Sequence, residues 1–267
     1  MINVTVLGAA GRMGRALIQS VASDPETALV GAVEANGCEF LGQDAGLVAG
    51  IAAQEVPLSE HLESALAHSD AIIDFTGPDA TTTNVKAAAQ AGCSIVIGTT
   101  GHTAAQQQEL QNLGAEARIV LAPNMSVGVN LLFHLCNQVA GILGEDYDIE
   151  VTEMHHNRKK DAPSGTAVRL GEILADARKL DPQKALRHGR VGAVGARTRD
   201  EIGMHALRGG DVVGDHTVTF ATDGERVELA HKASSRETFA RGAVRAVKFL
   251  AERKPGIYDM QDVLGLR

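Results

Sequence analysis

The sequence predicts an α/β protein in which a doubly wound parallel sheet is accompanied by a second, α+β domain with a mixed, largely antiparallel sheet. Three observations predict this class. Short, β-branched apolar runs alternate with helical patterns from residue 2 to residue 122, as in parallel sheets covered by helices. A glycine-rich turn joins the first run to the first helix. After residue 202, strand-like runs follow one another without helices between them, which is typical of antiparallel sheets.

The elements of the first domain follow from this alternation. Strands are expected where apolar, β-branched residues run together, and helices where apolar residues recur every three or four positions. Strands are predicted at 2–7, 28–33, 70–75, 94–97 and 118–122, and helices at 15–23, 79–91 and 103–116. The chain at 38–50 is predicted to be a loop, and the spacing at 58–66 predicts helical structure.

The glycine-rich turn has the position of a dinucleotide-binding loop. Gly8, Gly11 and Gly14 lie between a strand and a helix, where glycine lets the backbone turn tightly and approach a pyrophosphate at the helix N-terminus. Their spacing displaces the second glycine of the usual fingerprint by one position. Glu34 lies twenty residues after Gly14, where an acid can bind ribose hydroxyls. The pattern predicts a Rossmann-type domain, a purely structural turn being the alternative.

The residues around this predicted cofactor site favour NAD. The carboxylate of Glu34 repels the additional phosphate of NADP, and Ala35 offers no cation beside it. Arg12 could still reach that phosphate, so use of both NADH and NADPH stays open. Ligands of such sheets lie beyond the carboxyl ends of the strands. We therefore assign Gly98-Thr99-Thr100 and Ala122-Pro123-Asn124-Met125 to the nicotinamide half, ordinary turns being the alternative.

A second stretch, residues 153–167, has the composition of an active-site loop. It begins in a run of alternating polarity that predicts a strand at 148–155 and places Glu153 and His155 on one face. Three consecutive cations, at 158–160, follow. Ser164 then stands where a helix cap belongs, and backbone N–H groups at a helix start can hold an anion. The stretch predicts proton transfer beside a carboxylate substrate.

Two other interpretations of this stretch are open. The cations can form a solvated charged loop. A metal site is the other alternative, but adjacent His155 and His156 would point to opposite faces of a continuous strand. The stretch has no His-Glu-x-x-His motif and no nearby cysteine pair. We expect no metal.

The remaining patterns complete a second domain and return the chain to the first. A long helix is predicted after Ser126, with an apolar stripe formed by Leu131, Leu135, Val139 and Ile142. A long loop is predicted at 179–200, and strands at 202–208, 213–221 and 226–231, with Asp223-Gly224 as a hairpin turn. The resulting sheet is open on one face unless another subunit covers it.

A final helix at 237–250 is expected to pack on the first domain. The predicted domains are 1–126 with 236–267 for the dinucleotide, and 127–235 for substrate and oligomerisation.

Composition excludes several classes of partner. The chain has 267 residues, with 25 lysines and arginines against 33 acids and a net charge of −8, which argues against broad binding to nucleic acid or an anionic membrane. No apolar stretch is expected to approach the ~20 residues of a membrane span. The three cysteines are far apart, as expected of reduced thiols. We expect a cytoplasmic protein with no membrane or nucleic-acid partner.

Taken in order, the motifs resemble those of the 4-hydroxy-tetrahydrodipicolinate reductase (dihydrodipicolinate reductase) family. They are the glycine loop, Gly98-Thr-Thr-Gly101, Asn124-Met-Ser-Val-Gly-Val-Asn130, Glu153-Met-His-His-Asn-Arg-Lys-Lys-Asp-Ala-Pro-Ser-Gly-Thr166 and His231-Lys-Ala-Ser-Ser-Arg236. The resemblance covers essentially the whole chain. The block that begins at Glu153 is highly specific, whereas the glycine loop is not.

The resemblance implies a function and a set of site residues. The family reduces a cyclic imine dicarboxylate to tetrahydrodipicolinate with NADH or NADPH, in diaminopimelate and lysine biosynthesis, typically as a homotetramer. By match to the family, His155 is the proton donor/acceptor and Lys159 the proton donor, and the substrate contacts are His156, Gly165 and Thr166. The matching cofactor contacts are Gly8, Ala9, Ala10, Gly11, Arg12, Met13, Glu34, Gly98, Thr99, Thr100, Ala122, Pro123, Asn124 and Met125. Some members carry arginine at the position of Ala35, so the resemblance leaves the cofactor preference open.

Two other functions remain as alternatives. One is a different two-domain dehydrogenase acting on an amino-acid-derived carboxylate such as a semialdehyde. The other is a non-catalytic NAD-binding sensor. The presence of His155, Lys159 and the predicted anion site argues against a sensor, because a sensor needs no proton donor.

Overall fold

The structure is a computed structural model that describes residues 1–267. The chain divides into two compact units. The first consists of Met1–Val127 together with Arg236–Arg267, and the second of Gly128–Ser235. The second unit is therefore a single continuous segment, whereas the first is assembled from both ends of the chain.

Twelve strands and ten helices make up the two units. The strands are β1 (Ile2–Leu7), β2 (Thr27–Val33), β3 (Leu58–Ser59), β4 (Ala71–Asp74), β5 (Ser94–Ile97), β6 (Arg118–Leu121), β7 (Asp148–His155), β8 (Leu186–His188), β9 (Ile202–Arg208), β10 (Gly214–Thr222), β11 (Glu225–Ala233) and β12 (Gly256–Tyr258). The helices are α1 (Arg12–Ser23), α2 (Ala45–Ala49), α3 (Leu62–Leu66), α4 (Pro78–Ala91), α5 (Ala104–Leu113), α6 (Val127–Leu143), α7 (Gly165–Ala177), α8 (Pro182–Ala185), α9 (Glu237–Leu250) and α10 (Met260–Leu264).

The first unit is a seven-stranded parallel sheet covered on both faces. Its strand order is β12-β6-β5-β4-β1-β2-β3. One apolar cluster joins the sheet to α1, α9 and α10, and another joins it to α3, α4 and α5. The chain leaves β1 toward β2 and later returns to β1 on its other side with β4, so the strand order reverses between β1 and β4. The predicted doubly wound α/β class is confirmed.

The C-terminal segment completes the first unit. Helix α9 buries Ala243, Val247 and Leu250 in the same cluster as β1, which confirms that it packs on the first domain. A side chain at Gly242 would collide with the backbone carbonyl of Met125, so the helix approaches that segment closely. Strand β12, which was not predicted, then pairs with β6. Its three residues are too few to show a period in the sequence.

Several parts of the first unit differ from the prediction. Helix α1 begins at Arg12, three residues early, because Gly11 already occupies the cap position. The predicted loop at 38–50 contains α2, which Asp44 caps by accepting a hydrogen bond from the N–H of Leu47. The predicted helical stretch at 58–66 is divided into strand β3, which pairs with β2, and the short helix α3.

The second unit is a mixed five-stranded sheet with helices on one face. Its order is β11-β10-β7-β9-β8; the two ladders of β10 are antiparallel, and the two ladders of β9 are parallel. Taken together, the two antiparallel ladders pair more residues than the two parallel ones, so the predicted mixed, largely antiparallel sheet is confirmed. Asp223 and Gly224 form the predicted hairpin turn, with Gly224 at φ +92°. Helices α6 and α7 bury one face of this sheet.

The predicted apolar stripe of α6 was only partly right, because Val139 packs against the core but most of the stripe does not. The side of the helix in the core carries Val129, Leu132, Phe133, Cys136 and Ala140. Two residues of the predicted stripe, Leu131 and Ile142, are instead 44% and 81% exposed. The helix is apolar on most of its circumference, so a count of apolar positions could not select the buried side.

Helix α6 also corrects the expectation that no apolar stretch approaches the length of a membrane span. The helical segment Val127–Asp146 has 20 residues and a mean hydropathy of 1.4, which is long and apolar enough to cross a membrane. This criterion is also met by core helices of soluble proteins, and one side of α6 does lie in the apolar cluster of its unit. Length and composition alone are weak evidence for a span.

The predicted loop at 179–200 contains α8 and β8 and is then held by an ion-pair network. Glu150 of β7 accepts hydrogen bonds from both terminal nitrogens of Arg190, from Nε of Arg197 and from Nε2 of His205. Burial would raise the pKa of Glu150, but these hydrogen bonds lower it to about 2. The network lies on the face of the sheet opposite α6 and α7, because side chains alternate along β7.

Candidate active site

The glycine loop of the first unit leaves a helix start open to a ligand. Gly8 follows β1 with φ +67°, a backbone conformation that favours glycine. Helix α1 begins after Gly11, which has no side chain to cap the first N–H groups. These N–H groups and the helix dipole favour an anion at this position.

Gly14 brings α1 against the loop. A Cβ atom at Gly14 would lie only 2.7 Å from the Cα of Ala9 and would also collide with the carbonyl oxygen of Gly8. A Cβ at Gly11 would lie 3.2 Å from that oxygen. The loop is therefore a backbone cradle that side chains would fill, and it fits the pyrophosphate of a dinucleotide.

Glu34 lies directly beside this loop. One oxygen of its carboxylate accepts a hydrogen bond from the N–H of Ala10 at 2.9 Å, and the other accepts from the N–H of Ala35 at 2.9 Å. The site therefore places a carboxylate next to the glycine loop. Arg12 is exposed at the start of α1, while Arg15 donates to the carbonyl of Ala10 and stacks on Phe40.

The carboxyl ends of the neighbouring strands meet at the same edge of the sheet. The N–H of Gly98 donates to the carbonyl of Asp74 at 2.9 Å, and the N–H of Ala122 donates to Ile97 at 3.2 Å. The Phe75 ring packs against Gly98 so closely that a side chain there would collide with it. The predicted segments at 8–14, 98–100 and 122–125 thus follow strands β1, β5 and β6. Strands β5 and β6 are neighbours, and β4 lies between β5 and β1.

Asp74 orders this edge. It is fully buried at the end of β4, and its carboxylate accepts hydrogen bonds from the backbone and hydroxyl of Thr76, from the amide of Asn84 and from the hydroxyl of Thr99. A buried carboxylate with this many donors stabilises one backbone arrangement. Thr99, a predicted cofactor contact, is thereby fixed.

In the second unit, Glu153 and His155 face the same side of β7, as predicted. His155 is 9% exposed and its Nδ1 lies 2.6 Å from Oε2 of Glu153, which is 1% exposed. Arg208 of β9 donates from its two terminal nitrogens to the two oxygens of Glu153, at 2.8 and 2.9 Å. Burial would raise the pKa of Glu153, but the hydrogen bonds from Arg208, His155 and Ser164 outweigh it and hold the pKa below its usual value.

Ser164 joins this cluster to the start of α7. Its N–H donates to Oε1 of Glu153 at 3.0 Å, and its hydroxyl oxygen accepts from the N–H of Ala167 at 3.2 Å. The predicted cap therefore forms. The same hydroxyl lies 2.9 Å from Nε2 of His216, whose ring meets that of His155 edge to face at 5.3 Å.

The loop between β7 and α7 carries the remaining predicted residues. The N–H of His156 donates to Val212, and the N–H of Lys159 donates to His156. The ammonium of Lys159 lies 2.8 Å from the carboxylate of Asp161, and its side chain is only 20% exposed. Gly165 and Thr166 form the first turn of α7, where the helix dipole favours an anionic group. No group of three or more histidines, cysteines or acids is arranged to hold a metal ion.

Comparison with known proteins decides the family. Two family models match the chain: "Dihydrodipicolinate reductase, N-terminus" over residues 2–125 and "Dihydrodipicolinate reductase, C-terminus" over residues 128–264. The chain belongs to the dihydrodipicolinate reductase family. It is thus an oxidoreductase, and the resemblance inferred from its motifs is confirmed.

Individual members of the dihydrodipicolinate reductase family match over the whole chain. The 4-hydroxy-tetrahydrodipicolinate reductases of Syntrophotalea carbinolica and Pseudomonas fluorescens are 51% and 52% identical over 267 residues, which is 100% of this chain and of each relative. A solved dihydrodipicolinate reductase from Paenisporosarcina sp. TG-14, with dipicolinate bound, superposes with a TM-score of 0.78 at 26% identity, covering 98% of each chain.

Three residues that contact the predicted site were not assigned to it from the sequence. Arg208 lies 55 positions from Glu153, so no local spacing connects them. Ser164 was predicted only as a helix cap. His216 was given no role in the site, and it is buried. The alternation of β10, which places His216 on the same face as Val218 and Phe220, was a usable signal for this burial.

The buried His216 predicts a pH dependence of stability. Burial, together with repulsion from His155, lowers the pKa of His216 to about 3, whereas an unfolded histidine titrates at about 6.5. Between these values only the unfolded chain takes up the proton, so stability falls as the pH falls from about 6.5 toward 3. At pH 5 we expect His216 to cost about 2 kcal/mol relative to pH 7.

His216→Gln tests this prediction, because glutamine keeps a polar partner for Ser164 but does not titrate. The free energy of unfolding is measured in urea at pH 7 and pH 5 for both proteins. We expect the variant to lose less stability than the wild type on acidification. Equal losses would show that His216 does not carry this dependence.

Proposed function

We propose that this protein reduces 4-hydroxy-tetrahydrodipicolinate, by way of dihydrodipicolinate, to tetrahydrodipicolinate with NADH or NADPH, in diaminopimelate and lysine biosynthesis. The observation that carries the proposal is the arrangement in the second unit. A buried histidine held by a carboxylate, a largely buried lysine and an uncrowded helix start occur within one loop and its flanking elements. Curated relatives about 50% identical to the chain carry the corresponding reductase name.

The first unit is proposed to bind the cofactor. When bound, NADH or NADPH supplies a hydride. The backbone of Gly8, Ala9, Ala10, Gly11, Arg12 and Met13 would hold the pyrophosphate, and the segments at 98–100 and 122–125 would hold the nicotinamide half. Glu34 is proposed to bind the ribose hydroxyls and to repel a 2′-phosphate, and the contact of its carboxylate with the loop supports this role. We therefore propose a preference for NADH, with Arg12 permitting some use of NADPH.

The second unit is proposed to supply the proton. Hydride addition to a conjugated imine leaves negative charge on the ring, and a nearby cationic acid stabilises that charge before it donates a proton. Lys159 is proposed as this donor. Its ammonium lies 2.8 Å from the carboxylate of Asp161, and this contact supports a position beside a carboxylate. The reduction itself consumes one hydride and one proton, so His155 is proposed to donate or accept a proton in the loss of water from the 4-hydroxy precursor, through the imidazole nitrogen that Glu153 does not bind.

The substrate carboxylates require fixed hydrogen-bond donors. His156, Gly165 and Thr166 are proposed to bind them, because the last two residues form the start of α7 and backbone N–H groups there bind anions. The bound dipicolinate of the Paenisporosarcina enzyme is a planar ring dicarboxylate. A small dicarboxylate is therefore the proposed ligand of this chain.

The assembly and location follow from the same reasoning. The face of the second sheet opposite α6 and α7 has no helix of its own unit over it, and a sheet open on one face is commonly covered by another subunit. We propose a homotetramer, with residues 127–235 as the oligomerisation and substrate domain and residues 1–126 with 236–267 as the dinucleotide domain. We propose that it acts in the cytoplasm.

A coupled assay tests the proposed reaction. The substrate is generated in the cuvette from pyruvate and aspartate semialdehyde by the preceding synthase, and oxidation of NADH and of NADPH is followed by the absorbance of the reduced nicotinamide. We expect oxidation with both cofactors and a higher kcat/KM with NADH. The control omits the synthase, which leaves the semialdehyde as the only carbonyl substrate besides pyruvate.

The outcomes separate the candidate functions. Oxidation that requires the synthase supports the proposed reaction. Oxidation without the synthase would indicate a dehydrogenase acting on the semialdehyde or pyruvate. Binding of NADH without any oxidation would indicate a sensor.

A further inference from the structure

Glu153 is the most completely hydrogen-bonded carboxylate near the proposed catalytic histidine. Oε2 accepts from Nδ1 of His155 at 2.6 Å and from Arg208 at 2.8 Å. Oε1 accepts from the other terminal nitrogen of Arg208 at 2.9 Å and from the N–H of Ser164 at 3.0 Å. Each oxygen thus has two donors, which fills the acceptor capacity of a carboxylate.

This saturation excludes direct contact with a substrate. Glu153 is 1% exposed, and all four acceptor directions are occupied by the protein itself. A second carboxylate, that of the substrate, would also be repelled by it. Glu153 therefore acts through the groups that it binds.

The four hydrogen bonds connect three segments of the second unit. They join His155 on the same strand, Arg208 on β9, and Ser164 at the cap of α7. Arg208 also donates to the carbonyl of Asp161 at 2.7 Å. Asp161 and Ser164 are both in the loop that carries Lys159, so one buried charge holds the histidine, the lysine loop and the helix start together.

The same carboxylate decides which nitrogen of His155 carries a proton. An ionised carboxylate only accepts hydrogen bonds, so Nδ1 of His155 must donate. In the neutral ring, Nε2 is then the nitrogen that can accept a proton. This atom lies beside Gly214, and a Cβ at Gly214 would be only 3.0 Å from it. The absence of a side chain at Gly214 therefore leaves Nε2 uncrowded.

We propose that Glu153 is a positioning residue that fixes the Nδ1–H tautomer and the orientation of His155 and, through Arg208 and Ser164, the geometry of the Lys159 loop and the α7 start. The inference rests on the proposed function for the roles of His155 and Lys159. The tautomer itself does not depend on that function. A test can therefore examine both separately.

Glu153→Gln is the direct test, because it keeps the shape of the side chain and removes its charge. Glutamine has one acceptor oxygen and an amide that donates, so it cannot accept all four hydrogen bonds. With ¹⁵N-labelled histidine, we expect the His155 ring nitrogens to shift from the Nδ1–H pattern toward a mixture of tautomers. Turnover is expected to fall by about 10- to 10²-fold, the scale of impaired acid–base catalysis, with a higher KM for the substrate. NADH affinity, set in the first unit, is expected to stay within about twofold.

Glu150→Gln is the matched control. Glu150 lies on the same strand, and it also accepts hydrogen bonds from a histidine and from arginines, but its side chain points to the opposite face of the sheet. We expect it to leave the His155 tautomer unchanged and kcat within about twofold of wild type, even where the melting temperature falls. Glu153→Asp, which retains the charge, is expected to restore the Nδ1–H pattern and part of kcat.

Arg208→Lys keeps the test decisive if Glu153→Gln does not fold. A lysine keeps the charge beside Glu153 but not the two parallel hydrogen bonds or the contact with Asp161. We expect the His155 tautomer to stay and KM to rise more than kcat falls, because the loop is loosened while His155 keeps its partner.

The outcomes distinguish this inference from the proposed function. An Nδ1–H pattern in Glu153→Gln, with kcat equal to that of Glu150→Gln, would overturn the positioning role. An unchanged KM in Arg208→Lys would overturn its extension to the loop. If the wild type showed no turnover with either cofactor, the proposed function would fail, while a tautomer change in Glu153→Gln would still support the action of Glu153 on His155.

Discussion

Lys159→Ala is expected to lower turnover by about 10²-fold or more, the scale of a lost acid catalyst. The lysine is the proposed proton donor, and no other residue of its loop combines a cation with a largely buried side chain, since Arg158 and Lys160 are exposed. The loss should appear in kcat as well as in kcat/KM, because the proton is transferred in the transition state. NADH affinity should change little. Steady-state kinetics in the coupled assay and a separate NADH titration measure these quantities.

Lys160→Ala is the matched control for Lys159→Ala. Lys160 is the next residue in the same loop, carries the same charge and is exposed. We expect its removal to change kcat by no more than about twofold, since an exposed lysine contributes little beyond a screened charge. Equal turnover in Lys159→Ala and the wild type would remove Lys159 from the mechanism. A similar loss in both variants would attribute the effect to the charge of the loop.

Gly14→Ala is expected to weaken NADH binding by at least about 10-fold and to destabilise the protein by about 2 kcal/mol or more. The added methyl group would meet the backbone of Gly8 and Ala9, which cannot rotate away as a flexible side chain can. Relief requires α1 to move off the loop, and overpacking of this kind costs about 1–3 kcal/mol. The same movement displaces the helix start that is proposed to hold the pyrophosphate. A fluorescence titration with NADH and urea unfolding measure the two effects.

Gly141→Ala provides the opposite case. Gly141 is also inside a helix, α6, but it is exposed, and apart from the adjoining backbone of the helix nothing lies within 4 Å of an added Cβ. We expect a gain of about 0.5–1 kcal/mol, the usual difference between alanine and glycine in a helix, and no change in NADH binding. If Gly14→Ala bound NADH as tightly as Gly141→Ala, the close approach of α1 to the loop would not matter for the cofactor.

The sequence predicted best where a local pattern has one physical solution. Ser164 was recognisable as a cap because a hydroxyl residue stood directly before a helical pattern, and the structure shows its hydrogen bond to Ala167. Glu153 and His155 were recognisable as neighbours because residues two apart on a strand share a face. The hairpin turn at Asp223-Gly224 was recognisable because an Asp-Gly pair between two strand-like runs favours a tight turn.

The sequence predicted less where the deciding contact is remote. Arg208 binds Glu153 across a strand pair that joins distant parts of the chain. No pattern near Arg208 in the sequence predicts that contact. The buried side of α6 is decided by its packing against the sheet of the second unit. Because most of the helix surface is apolar, the sequence alone does not show which side is buried. The division of 58–66 into a strand and a helix depends on pairing with β2.

The first unit is built from both ends of the chain, and this affects when it can fold during synthesis. Residues 128–235 form a continuous unit, so they can fold as soon as they leave the ribosome, since domains generally fold as units during translation. The amino-terminal part of the first unit leaves the ribosome earlier, but it cannot complete its core at that point. Its core lacks Ala243, Val247 and Leu250 until α9 has been made, and the edge of its sheet beside β6 stays unpaired until β12 arrives. The half of the protein that is translated first is therefore the half that is completed last.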